Sequence, residues 1–179
     1  DLIGKRWMCS QEVAGLFGNE FGEFCKAVVE KGECEFFTNV RNGKGKELTV
    51  EGKVMLSQLK KQGPLHNEEL MAIAKDKRMC SYEMALDLAK DALVIIGDYY
   101  YIFNPHVSDA LFTKLNLKLE DCIVIVDEGH NLPSRVTEML SSNLTTSMLR
   151  NASQEAQRFG YKGIILWLQD LNSILTKLA

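Results

Sequence analysis

The sequence has no run of apolar residues that approaches the ~20 needed for a helix to cross a bilayer. Its first residues also lack the basic stretch and apolar core of a secretory signal. These absences argue against membrane and secreted proteins, and they predict an intracellular, cytoplasmic location with no membrane partner. Internal repeats and low-complexity tracts are missing too, and 46% of the residues are hydrophobic, a fraction typical of an ordered globular protein.

An excess of basic residues is also missing, since the formal net charge is -3. A protein that coats nucleic acid through bulk electrostatics is therefore not indicated. Two local basic groups remain, Lys5 with Arg6 and Arg41 with Lys44 and Lys46, and each can contact phosphates without a basic total. For the group at 41–46 we favour the simpler interpretation, which is a loop exposed to solvent.

The five cysteines include no Cys-x-x-Cys pair, and their odd number in an apparently cytosolic chain argues against a disulfide framework and a zinc ribbon. Cys122 opens an apolar segment and is most simply a small core residue. The other four suffice in number for a 4Fe-4S cluster, whose ligands can come from distant loops; they are Cys9, Cys25, Cys34 and Cys80. Cys80 also precedes a helical pattern, and unpaired N–H groups at a helix start favour a thiolate. Plain burial is the alternative.

Residues 123–126, Ile-Val-Ile-Val, form an uninterrupted β-branched run, as expected for a parallel strand that is covered on both faces. Asp127 and Glu128 follow directly, at the end where open α/β sheets bind ligands. In phosphoryl-transfer sites of this type the first carboxylate holds Mg²⁺, and a following acid can orient the attacking water. The spacing predicts a Walker B motif with a DExH-like tail that contains His130. The alternative is a strand followed by a solvated acidic turn.

A second apolar strand is predicted at residues 92–96, followed by a helix around 107–115. With the strand at 123–126 these elements predict a βαβ unit with a right-handed crossover. Residues 10–78 are expected to be irregular to helical, with a short helix near Ile73. The sequence therefore predicts a parallel sheet preceded by a mostly helical region.

A further helix is predicted from Ser81, because apolar residues recur at helical spacing on one face. The apolar face contains Met84, Ala85, Leu88 and Ala89, and the charged residues Glu83, Asp87 and Lys90 lie on the opposite face.

After Pro133 the chain is expected to leave the sheet and become helical. Thr145 or Thr146 can cap one helix, and a second helix follows Gly160. The second helix carries apolar residues at four-three spacing, at 164, 168, 171, 175 and 178, with no later partner in the sequence. This seam predicts the start of another helical domain, and the chain is expected to be a piece of a larger protein.

Four segments, in this order, resemble the XPD-type iron-sulfur DNA helicases of superfamily 2, and more closely their archaeal members. Residues 5–9, Lys-Arg-Trp-Met-Cys, resemble the basic residues before the family's first cluster cysteine. Residues 80–83, Cys-Ser-Tyr-Glu, resemble its fourth, usually Cys-Pro-Tyr. Residues 98–105 resemble its Asn-Tyr-x-Tyr-Leu stretch, and 127–132, Asp-Glu-Gly-His-Asn-Leu, match Asp-Glu-Ala-His-Asn.

The resemblance implies an α/β fold, namely part of a RecA-like parallel sheet with an inserted, mostly helical iron-sulfur domain and a helical carboxyl-terminal segment. It divides the chain into an iron-sulfur domain at 1–90, part of the first motor domain at 91–135 and the start of the Arch domain at 136–179. The family's Gly-Lys-Thr loop and its second motor domain with arginine fingers are not in this sequence, so we expect the chain alone to be inactive as an ATPase.

The resemblance also implies an ATP-dependent helicase that moves 5′ to 3′ on single-stranded or forked DNA in nucleotide excision repair, as a monomer. Its site residues carry over by position. A structural 4Fe-4S cluster is expected on Cys9, Cys25, Cys34 and Cys80. For nucleotide chemistry, Asp127 is expected to hold Mg²⁺ with ATP, Glu128 to act on the attacking water, and His130 to couple the nucleotide and DNA sites. Contacts with DNA are expected from Lys5, Arg6 and Tyr82, although Tyr82 can equally be a core aromatic.

Two other interpretations stay open. One is a cluster-stabilised module that binds single-stranded nucleic acid and needs no nucleotide, which leaves the acidic pair at 127 and 128 unexplained. The other is a DinG-type iron-sulfur helicase, with the same chemistry and a different biological task.

Overall fold

The computed structural model describes residues 1–11, 13, 16, 18–43 and 47–178. The chain forms two compact units, Asp1–Leu132 and Pro133–Ala179. The helices of the first unit are α1 (Gly18–Glu30), α2 (Glu35–Thr38), α3 (Val50–Gln62), α4 (Asn67–Asp76), α5 (Ser81–Ala89), α6 (Tyr100–Phe103) and α7 (Pro105–Leu115). Those of the second are α8 (Leu132–Leu140), which begins at the unit boundary, α9 (Thr146–Arg158) and α10 (Lys162–Leu178). Short 3₁₀ turns lie at Leu119–Asp121 and Gly129–Asn131.

The sheet found among the described residues is a two-stranded antiparallel hairpin, β1 (Arg41–Asn42) and β2 (Glu47–Leu48), in which Arg41 pairs with Leu48. The predicted strands at 92–96 and 123–126 are wrong for this chain, since neither segment enters a ladder. Residue 97 makes only an isolated parallel bridge with Leu2. The predicted βαβ unit is therefore present as a helix, α7, between two apolar segments that are not paired with each other.

Side-chain exposure indicates why the two predicted strands do not form. Leu93 is fully exposed and Ile123 is 93% exposed. A central parallel strand needs ladder partners on its edges and helices over its faces. Among the described residues the segment 123–126 has no ladder partner, and the segment 92–96 has only one backbone hydrogen bond to a distant segment, at its end, from Leu2 N–H to Ile96 O. Their strand-forming sequence therefore produces no sheet here. The prediction that Cys122 is a small core residue fails for the same reason, since its side chain is exposed.

The core of the first unit is built where α3, α4 and α7 pack against the central helix α5. Seven of the nine residues of α5 are buried. They include Met84, Ala85 and Ala89, as the helical periodicity predicts, but also Glu83 and Asp87. The prediction that these two acids lie on a face opposite the packed one is therefore wrong, because α5 is enclosed on both faces.

Arg41 is the reason that two carboxylates are tolerated in this core. It is itself buried, and its Nε lies 3.0 Å from Glu83 Oε2. Arg41 Nη2 lies 2.8 Å from Asp87 Oδ2, an ion contact without the alignment of a hydrogen bond. At the rim, Lys114 Nζ lies 3.7 Å from Glu83 Oε1 and Lys90 Nζ 2.7 Å from Asp87 Oδ1. The interpretation of 41–46 as a solvated loop fails at Arg41, and Lys44 and Lys46 lie outside the described residues.

The helix starts follow the predicted cap chemistry. Asn104 accepts a hydrogen bond from Val107 N–H at 3.2 Å and caps α7, with a proline at its first position. Thr145 accepts one from Met148 N–H and caps α9, as predicted. The helix expected near Ile73 is α4, and the helix expected after Gly160 is α10.

The second unit is a helical hairpin in which α9 and α10 pack together through a turn at Gly160, where φ is +76°. The predicted seam on α10 is only partly right, since residues 164, 171 and 178 are exposed. The half-buried positions of α10 are Ile165, Leu168, Asn172 and Leu175. The half-buried row is therefore displaced by one residue at two positions, from 164 to 165 and from 171 to 172, and it includes one asparagine. Among the described residues, no helix is long and apolar enough to span a membrane.

Candidate functional site

A tight turn at residues 4–9 carries the first predicted cluster cysteine. Trp7 N–H donates to Gly4 O at 2.9 Å and Cys9 N–H donates to Arg6 O at 3.2 Å. Met8 is fully buried, and its carbonyl accepts a hydrogen bond from the Ser81 hydroxyl at the start of α5. The turn is therefore fixed to the element that carries Cys80, and 73 residues separate the bonded partners.

Cys80 and Cys34 each precede a helix. Cys80 is in the N-cap position of α5, and its N–H donates to Phe36 O at 2.8 Å, which joins it to α2. Cys34 is in the N-cap position of α2 and is buried, and Gln11 Nε2 donates to its Sγ at 3.1 Å. The predicted helix start at Cys80 is confirmed, and Cys34 takes the same N-cap position at α2. The thiolate expected at Cys80 is wrong for this structure, because burial outweighs the helix start and raises the pKa of the thiol.

All four predicted cluster cysteines line one small cavity, with a volume of about 30 Å³. Six aromatic and aliphatic residues of α1 and α2 line it as well, together with Met8, Ser10, Gln11, Lys5 and Tyr82. The donor set fits an iron-sulfur cluster in kind, since four thiols line the same mostly apolar cavity. Among the described residues, however, no three Cys, His, Asp or Glu side chains are close enough together to form a metal-binding group.

Burial favours the neutral form of two of these thiols, those of Cys80 and Cys9. Burial raises the pKa of the Cys80 thiol to about 12, against the opposing effect of the Glu83 backbone amide. Burial likewise raises the pKa of Cys9, and the neighbouring Cys25 and Cys34 thiols add to this rise. Burial lowers the pKa of Lys5, but the nearby Cys25 sulfur, together with Glu83 and Cys80, more than offsets that effect, and the pKa is raised overall. Lys5 therefore supplies positive charge directly to the cysteine cavity.

Tyr82 is half-buried against the core, next to two lysines. Lys5 Nζ lies 5.7 Å and Lys114 Nζ 5.3 Å from its ring centroid, both within cation–π range. Burial raises the pKa of its hydroxyl. This environment is that of an aromatic residue that anchors α5 and holds two cations at the surface.

The acidic segment lies after α7 and is exposed. Asp127 Oδ1 accepts from Glu128 N–H at 2.9 Å, and His130 Nδ1 lies 3.2 Å from Glu128 Oε2. Glu128 has a φ of +49°, a left-handed conformation that is uncommon for a residue other than glycine. The Tyr99 hydroxyl donates to Asp127 O at 2.7 Å and fixes the backbone at this point. The carboxylates of Asp127 and Glu128 are open to a metal ion or a water molecule.

The structure thus brings together five of the predicted site residues, the four cysteines and Lys5, and it places Tyr82 beside them. Asp127, Glu128 and His130 form a separate group that does not line the cysteine cavity. Sequence reasoning missed Gln11 and Lys114, whose roles depend on contacts between distant segments. It also assigned no role to Trp7, which lies between the basic pair and Met8.

Comparison with known proteins identifies the family. The DEAD_2 family matches residues 2–149. The General transcription and DNA repair factor IIH helicase subunit XPD/RAD3 of Saccharomyces cerevisiae is 30% identical over 95 residues, which are 53% of this chain and 12% of that protein. A Fanconi anemia group J protein homolog of Gallus gallus is 32% identical over 88 residues, 49% of this chain and 7% of that protein.

A longer match is to the ATP-dependent DNA helicase CHL1 of Kluyveromyces lactis, at 23% identity over 151 residues, 83% of this chain and 17% of that protein. The matches cover between 7% and 17% of the length of these three relatives. Because the DEAD_2 match covers most of the sequence, the chain belongs to this family, the amino-terminal region of XPD/Rad3-type helicases of superfamily 2.

Proposed function

We propose that the chain is part of an ATP-dependent DNA helicase of the XPD type, which moves 5′ to 3′ on single-stranded or forked DNA in nucleotide excision repair. The observation that supports this most is the shared cavity of four cysteines that come from separate segments of the sequence. The family match alone leaves open whether this chain keeps the chemistry of the family. That all four cysteines line one cavity is an observation on this chain itself, and it supports the proposal.

We assign a 4Fe-4S cluster to these four cysteines. When bound, it supplies a crosslink among the turn at 4–9, α1 and the starts of α2 and α5. Burial disfavours four thiolates in an apolar cavity, so positive charge must compensate them. Lys5 supplies part of that charge, and the Gln11 amide donates a hydrogen bond to Cys34. Hydrogen bonds of this kind to cluster sulfurs stabilise the negative charge.

We assign the nucleotide chemistry to the exposed acidic segment. Asp127 is proposed to hold the Mg²⁺ of bound ATP, and Glu128 to orient the attacking water. His130 is proposed to couple this site to DNA. Its imidazole contacts the Glu128 carboxylate, which links it directly to the residue assigned to the attacking water. The hydrogen bond from Tyr99 to Asp127 O fixes the backbone from which both carboxylates project.

We assign DNA contacts to Lys5, Arg6 and Tyr82. The two basic side chains are proposed to contact phosphates. Tyr82 is proposed to act with Lys5 and Lys114, whose ammonium groups lie near its ring. A monomer remains our prediction for the complete protein.

The test is ATP hydrolysis by the full-length protein that contains this chain. Changing Asp127→Asn together with Glu128→Gln is expected to lower kcat by roughly a hundredfold or more, because Mg²⁺ and the attacking water lose their charged partners. Glu120→Gln is the matched control, since it removes an exposed carboxylate that lies upstream of the acidic segment and pairs with Lys118. Full ATPase activity in the double variant would leave the nucleotide-independent binding module as the better interpretation.

A further inference from the structure

Trp7 is an exposed aromatic side chain on a fixed turn. Its exposed fraction is 66%, whereas the next residue, Met8, is completely buried. A Cβ added at Gly4 would lie 3.3 Å from Trp7 Cδ1, so the edge of the indole lies close to Gly4. Because Met8 and its hydrogen bond from Ser81 hold the turn against α5, the indole is presented to solvent by a rigid part of the first unit.

The surroundings of Trp7 are cationic. The Arg6 guanidinium carbon lies 5.0 Å from the indole centroid. Lys5 belongs to the same turn, and its ammonium group also lies near the ring of Tyr82. An exposed flat ring beside cations matches an unpaired nucleotide, because the ring stacks on the base and the cations attract the phosphates. A protein partner is less well matched, because it would need further apolar surface beside Trp7, and the other accessible long side chains of this turn, Lys5 and Arg6, are charged.

We propose that Trp7 is a stacking platform for an unpaired base of single-stranded DNA. This deepens the proposed function and rests on it, because it names a base-stacking residue beside the phosphate contacts assigned to Lys5 and Arg6. Stacking adds affinity without reading the sequence, since every base has a flat face. Lys5 and Arg6 alone would attract any polyanion. Stacking on Trp7 requires a base, so it favours a nucleic acid over other polyanions.

The test uses the cluster-loaded 179-residue chain and two fluorescein-labelled strands of equal length, oligo-dT and an abasic strand with the same phosphates. Trp7→Ala is expected to weaken binding of oligo-dT about 5- to 150-fold, the range for losing one stacked base. Binding of the abasic strand should change little.

The slope of log affinity against log salt should stay constant in Trp7→Ala and fall by about 0.7 in Arg6→Gln, which removes a phosphate contact.

Trp167 provides the matched control, because it is the only other tryptophan and is 77% exposed in the second unit. Trp167→Ala should bind both strands like the parent chain. In a Trp167→Phe variant, Trp7 is the sole tryptophan, and its emission should be quenched by oligo-dT but not by the abasic strand. Trp7→Phe should restore most of the affinity that Trp7→Ala loses.

Equal affinity of the Trp7→Ala and Trp167→Ala variants for oligo-dT would overturn the proposal. An equal loss for both strands would also overturn it, because it would indicate a folding or charge effect, and so would unchanged Trp7 emission at high oligo-dT concentration. These results would leave the helicase assignment intact if the full-length protein still loses its ATPase activity on Asp127→Asn and Glu128→Gln. Conversely, persistent ATPase activity in that double variant would contradict the helicase assignment but not the proposal that a base stacks on Trp7.

Discussion

Arg41 shows how a single side chain can be misassigned from its neighbours in sequence. It stands in a glycine- and lysine-rich stretch that favours a solvated loop, yet it is buried and contacts two carboxylates of α5. The partners are 42 and 46 residues away along the chain. No local pattern contains this information, because ion pairing in a core is decided by which segments fold together.

Loss of Arg41 should therefore be severe. Arg41→Met keeps the length of the side chain but leaves Glu83 and Asp87 buried without their main cation, and we expect a loss of about 3–5 kcal/mol in unfolding free energy. Urea denaturation followed by circular dichroism measures this. Lys60→Met, which removes an exposed ion pair with Asp91, should leave the unfolding midpoint nearly unchanged. Similar midpoints for the two variants would show that the buried network contributes little.

At the level of elements, several helices could be predicted, whereas the helices α1 and α3 were not located within 10–78 and the parallel strands were wrong. Caps are local: Asn104 and Thr145 lie three residues from the N–H groups that they bind. Helical periodicity is local too, and it located α4, α5, α7 and α10. A ladder is not local, because a strand needs a partner at another place in the chain. The apolar residues at 92–96 and 123–126 carry the propensity of strands, but among the described residues the only pairing near them is an isolated bridge beside the first segment, between Leu2 and Gly97.

Two threonine caps allow a matched test of this local chemistry. Thr49 Oγ1 accepts from Gly52 N–H at 2.9 Å to cap α3 and also donates to Asn39 O at 2.7 Å, in a buried position. The Thr145 hydroxyl makes the cap bond to Met148 N–H from an exposed position.

We expect Thr49→Ala to lower the free energy of unfolding by about 2 kcal/mol, because it removes both a helix cap and a buried hydrogen bond. Thr145→Ala removes only a cap and should lower it by about 1 kcal/mol or less. Denaturation of each variant, followed by a probe in its own unit, gives the comparison. Thr49→Ser should restore most of the stability. Equal costs at the two positions would contradict the role of the second hydrogen bond.

For the whole molecule, the order of four short segments in the sequence is enough to indicate the family, and the DEAD_2 match confirms it. The convergence of four distant cysteines on one cavity goes beyond what their spacing could show. The parallel sheet implied by the resemblance is not seen among the described residues, where 92–96 and 123–126 form no strands. The predicted three-domain division stays a prediction, and the compact units are Asp1–Leu132 and Pro133–Ala179.

The central claim is that this chain holds an iron-sulfur cluster in its cysteine cavity, and its metal content tests that claim most directly. Iron and acid-labile sulfide should be measured on anaerobically purified protein, together with its visible absorption spectrum. We predict about four irons and four sulfides per chain, lost in Cys25→Ser and retained in Cys122→Ser, whose cysteine is exposed and lies outside the cavity. Bound zinc, absence of metal, or equal iron loss in both variants would contradict the account.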